Sequence, residues 1–166
     1  MPAGLDALHV PFSYEGVLRE LVARAKYRDR HAALAWLADE MVIALGGAAG
    51  AIDVVAWAPT TPRRRRRRGF DQAEVLAIAI GDELRRPVRA RLRRTSGATQ
   101  TGASRAMRAT GPVFVPTRDP GRAGHAHRVL LVDDVVTTGA TMQAAARALR
   151  TGGAARVEGI AAARRS

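Results

Sequence analysis

At 166 residues, with no cysteine and a formal charge of +12 at pH 7, the chain is long enough to bury about 70% of its unfolded surface in one core. Disulfide frameworks and thiolate metal sites are excluded. The opening MPAGLDALHVPF lacks a basic region followed by a long apolar stretch, and no uninterrupted apolar run approaches about 18 residues, so the expectation is a soluble, cytoplasmic protein with no membrane insertion.

In chain order, Leu18, Leu21, Val22 and Ala25 fall at helical spacing, so YEGVLRELVARAK reads as an amphipathic helix. A second helix is predicted over His31 to Leu45, ended by Gly46, Gly47 and Gly50, and the GGAAG segment serves as a connector because it precedes a strand. AIDVVAWAP reads as a buried strand, closed by Pro59 and Pro62. The arginine run Arg63 to Arg68 is placed in a loop, followed by a helix with Asp71 as N-cap and Glu74 completing a capping box. PVRARL is a candidate strand, and Arg94 to Thr110 is a long polar loop of the kind usually kept for function. VFV is a short strand, RVLLVDD the strongest strand, TMQAAARALRTGG a helix with a glycine stop, and RVEGIAAA a closing strand. Trp36 and Trp57 sit in apolar patterns and are assigned to the core, and His125 and His127 to a loop before a strand.

Repeated strand, loop, helix and strand predict an α/β fold with a mostly parallel central sheet flanked by helices. Residues 1–50 are expected to form a helical segment packed on a domain spanning 51–166, the whole a single compact unit.

VLLVDDVVTTGATM, residues 129–142, carries the chemistry. In an open α/β sheet, ligands bind beyond the carboxyl ends of the strands. Asp133 and Asp134 stand at such an end, where two adjacent carboxylates repel each other unless something binds them. Vicinal ribose hydroxyls and a hydrated Mg²⁺ suit them. Thr137, Thr138, Gly139, Ala140 and Thr141 then form a turn into a helix, whose unpaired N–H groups and dipole attract an anion. A ribose 5-phosphate would span the two. A polar turn at a strand exit explains one Asp or one Thr, but not the ordered combination. The Gly-Lys-Ser/Thr of a Walker loop is absent.

All but one of the 27 basic residues are arginine, the exception being Lys26. For the scattered arginines, compositional drift in a GC-rich genome competes with selection for polyanion binding. For Arg63 to Arg68 three readings stay open: a solvated charge run, an electrostatic funnel toward a pyrophosphate, and a non-specific contact to single-stranded DNA. Only Phe70 lies beside the run as a stacking platform.

VLLVDDVVTTGATM resembles the phosphoribosyl pyrophosphate (PRPP) binding signature of type I phosphoribosyltransferases. Together with YEGVLRELVARAKYR, RRRGFDQAEVLA and LRRTSGATQTGASRAMR, in this order, it is similar to the ComF competence family of phosphoribosyltransferase-like proteins. The resemblance implies attack of a nitrogen acceptor on C1′ of PRPP, with Mg²⁺-pyrophosphate leaving, and a link to DNA uptake; a non-catalytic protein binding PRPP or single-stranded DNA is the alternative. It implies that Asp133 and Asp134 hold ribose hydroxyls and Mg²⁺, that Thr137 to Thr141 bind the 5-phosphate, and that Thr60, Arg67 and Arg68 in the loop from Pro59 to Gly69 face the pyrophosphate. It also implies a closing segment containing Arg94, Thr95, Gln100, Arg105 and Arg108, with Arg94 and Arg105 acting in catalysis beside the two acids.

Departures from the family pattern are a missing cysteine zinc module, Ala58, Pro59 and Thr60 where Val-Pro-Leu is usual, and Asp71 where Asn is typical. Purine-base transferases similar to this family carry an acid at position 137. Thr137 cannot act as a general base near neutral pH, which argues against purine salvage. Neither acceptor nor oligomeric state is legible.

Overall fold

The computed structural model describes residues 2–15, 30–95, 112–117 and 127–165. The helix expected over YEGVLRELVARAK falls largely outside them, as does the polar loop beyond Thr95 with Gln100, Arg105 and Arg108.

The main sheet is parallel throughout. Its centre is β6 (Arg128–Val136), flanked by β3 (Val54–Trp57) and β7 (Arg156–Arg164). Beyond β7 lie β1 (Ala7–His9) and β2 (Phe12–Ser13), which pair with it in the same register. They act as one edge strand interrupted at Val10 and Pro11, and a proline, having no N–H to donate, is tolerated only at such an edge. The expected helical segment over residues 1–50 therefore also supplies sheet. Strands this short carry little pattern of their own.

Both faces of the sheet are covered, which is why β6 reads as an unbroken apolar run. Leu130 and Val132 point to one face, against α1 (Arg30–Leu45) and α3 (Gln72–Leu84). Val129 and Leu131 point to the other, against α4 (Ala140–Thr151) and against Leu92 and Phe114. Leu37, Met41, Leu76 and Ile80 are fully buried on the first face, each stabilising by about 1.5–3 kcal/mol relative to exposure. Residues 32–51 are apolar enough on average to cross a bilayer, yet Leu34, Leu37, Ala38, Met41 and Leu45 use that apolarity in the core. Trp36 departs from expectation: it is 44% exposed and stacks on Phe12 with ring centroids 5.5 Å apart.

Two further differences place the site. The arginine run is not a loop but a helix, α2 (Pro62–Arg68). Thr61 Oγ1 accepts the Arg64 N–H, proline sits in the first turn, and Gly69 ends the helix at φ 80°. The PVRARL strand reduces to an isolated bridge, Val55 to Val88, and to Leu92 at the start of β4 (Leu92–Thr95), which forms a separate hairpin with β5 (Val113–Pro116), the expected VFV strand.

Gly159 sits where α4 presses on β7. A Cβ there would lie 2.7 Å from Met142 Cε and 3.0 Å from Leu5 Cδ1. Gly159→Val is expected to destabilise by about 1–3 kcal/mol, lowering the melting temperature by several degrees in a thermal melt.

Candidate functional site

The carboxyl ends of β2, β3, β6 and β7 open onto one cavity of ≈ 380 Å³. Tyr14 enters after β2, Ala58 and Thr60 after β3, Asp133, Asp134 and Val135 from β6 with Thr137 just beyond it, and Arg165 after β7; Arg64 and Arg68 reach it from α2, Asp71 and Gln72 from the start of α3, and Arg94 from β4. Of the residues predicted for this role, Asp133, Asp134, Thr137, Thr141, Thr60, Arg68 and Arg94 are brought together. Arg67 is not: it is exposed on α2, and Arg64 takes the place expected for it; Thr138, Gly139 and Ala140 do not line this cavity either. Arg105 lies outside the described residues.

The two acids differ in setting. Asp133 is 8% exposed and Asp134 half-buried. Asp133 Oδ1 accepts the Asp134 N–H at 2.9 Å, and Asp134 Oδ1 accepts the Val135 N–H at 2.8 Å. Burial first, and then the neighbouring Asp134 charge, push the Asp133 carboxyl well above the usual carboxylate range. Asp71 caps α3 as predicted, accepting the Ala73 N–H. Glu74, expected to close a capping box, instead pairs with Arg65 at 3.1 Å. Burial also raises Asp71, with the Asp134 charge adding to the effect against the backbone hydrogen bonds.

Facing these acids, Arg94 is pulled down from its ordinary value by burial and by the Arg64 charge, against the attraction of Asp133 and Asp71. Its guanidinium lies 5.4 Å from the Phe114 ring centroid, and Nη1 donates to Pro59 O at 3.5 Å. Thr95 is engaged within the hairpin, its hydroxyl donating to Val113 O at 3.3 Å.

Past Asp134 the chain turns through Thr137, Thr138 and Gly139 into α4. Gly139 adopts φ 78°, which glycine alone takes without strain, and a Cβ there would meet Pro2 Cγ at 2.8 Å. Ala140 N–H donates weakly to Thr138 Oγ1 at 3.4 Å. The N–H groups of Thr138, Gly139 and Thr141 meet no acceptor among the described residues. A side pocket of ≈ 20 Å³ beside Gly139 and Ala140 shares Asp133, Val135, Thr137 and Thr141 with the main cavity. It has room for about one water.

Among the described residues, no group of three or more His, Cys, Asp or Glu side chains is arranged to hold a metal. Asp133 and Asp134 at the cavity wall would suit a Mg²⁺ that arrives with a ligand, offering it carboxylate oxygens or bound waters.

Sequence reasoning missed Arg64, Tyr14, Gln72 and Arg165. Arg64 was findable, since Thr-Thr-Pro before the run and Gly after it are helix boundaries, and a helix brings residues 64 and 68 to one face. Tyr14 and Arg165 carry no local signal; the pairing of β2 with β7 brings them to the cavity.

A parallel α/β sheet with acids, hydroxyls and arginines gathered beyond its strand ends has its polar side chains where open α/β folds bind their ligands. Residues 67–166 match the phosphoribosyl transferase domain, and the chain belongs to that family. Among solved structures, the purine phosphoribosyltransferase from Pyrococcus horikoshii Ot3 is similar over 79% of this chain and 83% of that chain, at 17% identity and a TM-score of 0.47. No curated protein sequence matches significantly.

Proposed function

We propose that the protein binds PRPP with Mg²⁺ and transfers its phosphoribosyl group to a nitrogen acceptor: the C1′–O bond to pyrophosphate breaks as a C1′–N bond forms. The observation that carries this is the convergence of Asp133 and Asp134, Thr137 and Thr141, and Arg64, Arg68 and Arg94 on one cavity. The acids accept the ribose hydroxyls, the turn donates to the 5-phosphate, and the arginines stabilise charge growing on the departing pyrophosphate. Mg²⁺ bound with the substrate would neutralise part of the same charge. Because Thr137 offers no base, the acceptor must bring a nitrogen lone pair that needs no strong deprotonation.

The test is calorimetry with PRPP, with and without Mg²⁺, followed by an assay of pyrophosphate release with candidate acceptors. Absence of saturable PRPP binding would sink the proposal. Binding without turnover would favour a non-catalytic PRPP-binding role. The similarity of four segments to the ComF family supports a setting in DNA uptake.

A second reading is favoured by the outer face of α2. Arg63, Arg66 and Arg67 are exposed, and none has a carboxylate partner among the described residues. They suit non-specific contact with single-stranded DNA. Replacing all three with serine is expected to flatten the dependence of log affinity on log salt by about 2, since each single-strand phosphate contact contributes roughly 0.7. An unchanged slope in a fluorescence-anisotropy titration removes this face as the contact.

A further inference from the structure

Asp71 ties together the pieces of chain that present arginines to the cavity. One carboxylate oxygen accepts the Thr60 N–H at 2.8 Å and the other the Ala73 N–H at 3.2 Å, in a residue only 3% exposed. Thr60 immediately precedes Thr61, the N-cap of α2, so this bond fixes the point from which α2 starts. The far end of α2 is tied to the same first turn of α3: Arg68 Nη1 donates to Gln72 Oε1 at 2.7 Å, and Arg65 pairs with Glu74 at 3.1 Å. Both ends of the short helix are therefore referred to α3.

The three ties are not equivalent. The Arg65–Glu74 pair has side chains 58% and 25% exposed and holds weakly, as solvated ion pairs do. The Arg68 tie uses the guanidinium that an incoming anion would claim. The Asp71 tie is part-buried, rests on a carboxylate that is itself only 3% exposed, and spends no guanidinium.

We propose that Asp71 is the positioning residue for the pyrophosphate half of the cavity, holding Thr60 and thereby setting α2 so that Arg64 and Arg68 face Asp133 and Asp134. The inference rests on the PRPP reading above and deepens it. Burial and the Asp134 charge both disfavour an ionised group at Asp71. An acid there, where a neutral cap would serve α3 as well, fits a role in arranging the site.

The experiment compares PRPP with ribose 5-phosphate, both with Mg²⁺, by calorimetry on wild type, Asp71→Ser and Asp71→Asn. Serine still caps α3 but is too short to hold Thr60 as well; asparagine removes the charge and keeps one acceptor oxygen with the reach to hold Thr60, at the cost of the Ala73 N–H bond that its amide nitrogen cannot accept. Asp71→Ser is expected to weaken PRPP by about tenfold, as for one charge-assisted hydrogen bond misaligned, with ribose 5-phosphate unchanged. Asp71→Asn, able to hold Thr60 with its one oxygen, should recover part of the PRPP loss. Parallel weakening of both ligands, equal behaviour of the two variants, or no effect would overturn the positioning role while leaving the PRPP reading intact. Tighter PRPP binding in Asp71→Ser would overturn it too, since the carboxylate would then act as a repelling charge. Failure of the wild type to bind PRPP would overturn both.

Discussion

Asp133→Asn is expected to make the free protein more stable at neutral pH while weakening its Mg²⁺-dependent binding of PRPP. Asp133 is buried, lies beside Asp134, and has no ion-pair partner among the described residues. A carboxylate so placed is held at a cost in the unliganded state. Asparagine keeps an oxygen to accept the Asp134 N–H and removes the repulsion, so a gain of about 1–2 kcal/mol is expected, or several degrees in melting temperature. The sign follows from the direction of the shift. Because Asp133 is raised on folding, protonation favours the folded chain; that contribution is complete below the unfolded carboxyl value and is lost as the pH climbs through the folded one. The stability difference between variant and wild type should therefore be greatest at neutral pH and shrink toward acid in a series of thermal melts. Binding runs the other way. Hydrogen bonds to a charged acceptor contribute about 1.5–3 kcal/mol each, so Asp133→Asn should weaken PRPP by at least tenfold and the double Asp133→Asn/Asp134→Asn variant by roughly a thousandfold. Wild-type affinity should itself fall as acid protonates Asp133. A variant both less stable and still able to bind PRPP would mean that Asp133 is a structural acid.

Much of this arrangement was legible because local signals and tertiary structure agree. RVLLVDD needs both of its faces covered, and it became the central strand β6; the small residues after it admit the turn at Gly139, and the apolar spacing beyond it became α4. What stayed hidden depends on partners distant in sequence. β1 and β2 exist because β7 offers an edge, and nothing in LDALHVPFS announces that edge. Pairing of β2 with β7 also delivers Tyr14 and Arg165 to the cavity. Trp36 looked like core by pattern, yet Leu34, Leu37 and Met41 form the buried face of α1 and turn Trp36 outward onto Phe12. The α2 error was of another kind: repeated like charge argued for a solvated loop, while the Thr-Pro start and Gly stop outweighed it. Arg65 recovers part of that cost through Glu74.

That helix makes the six arginines unequal, and the inequality is a prediction. At 3.6 residues per turn, positions 64 and 68 share a face, while 67 lies about 100° away from 68. Arg64 and Arg68 line the cavity; Arg67 does not. Arg64→Ser and Arg68→Ser should each weaken PRPP by about 10- to 100-fold, corresponding to 1.5–3 kcal/mol for a charge-assisted contact. Arg67→Ser should change it by less than about threefold, the residue contributing only to the long-range field. Ribose 5-phosphate, which lacks the pyrophosphate, should bind all three variants nearly as it binds the wild type. Arg64, the more exposed of the inner pair, should show the stronger salt dependence, because screening acts on exposed charges more than on half-buried ones. Arg68→Lys should not restore the wild-type value, since a single ammonium cannot bond Gln72 and a phosphate in the forked geometry available to guanidinium. Calorimetric titrations at two salt concentrations separate these effects. If Arg67→Ser costs as much as Arg64→Ser, the run attracts anions through undirected charge alone, and the orientation of α2 has no part in recognition.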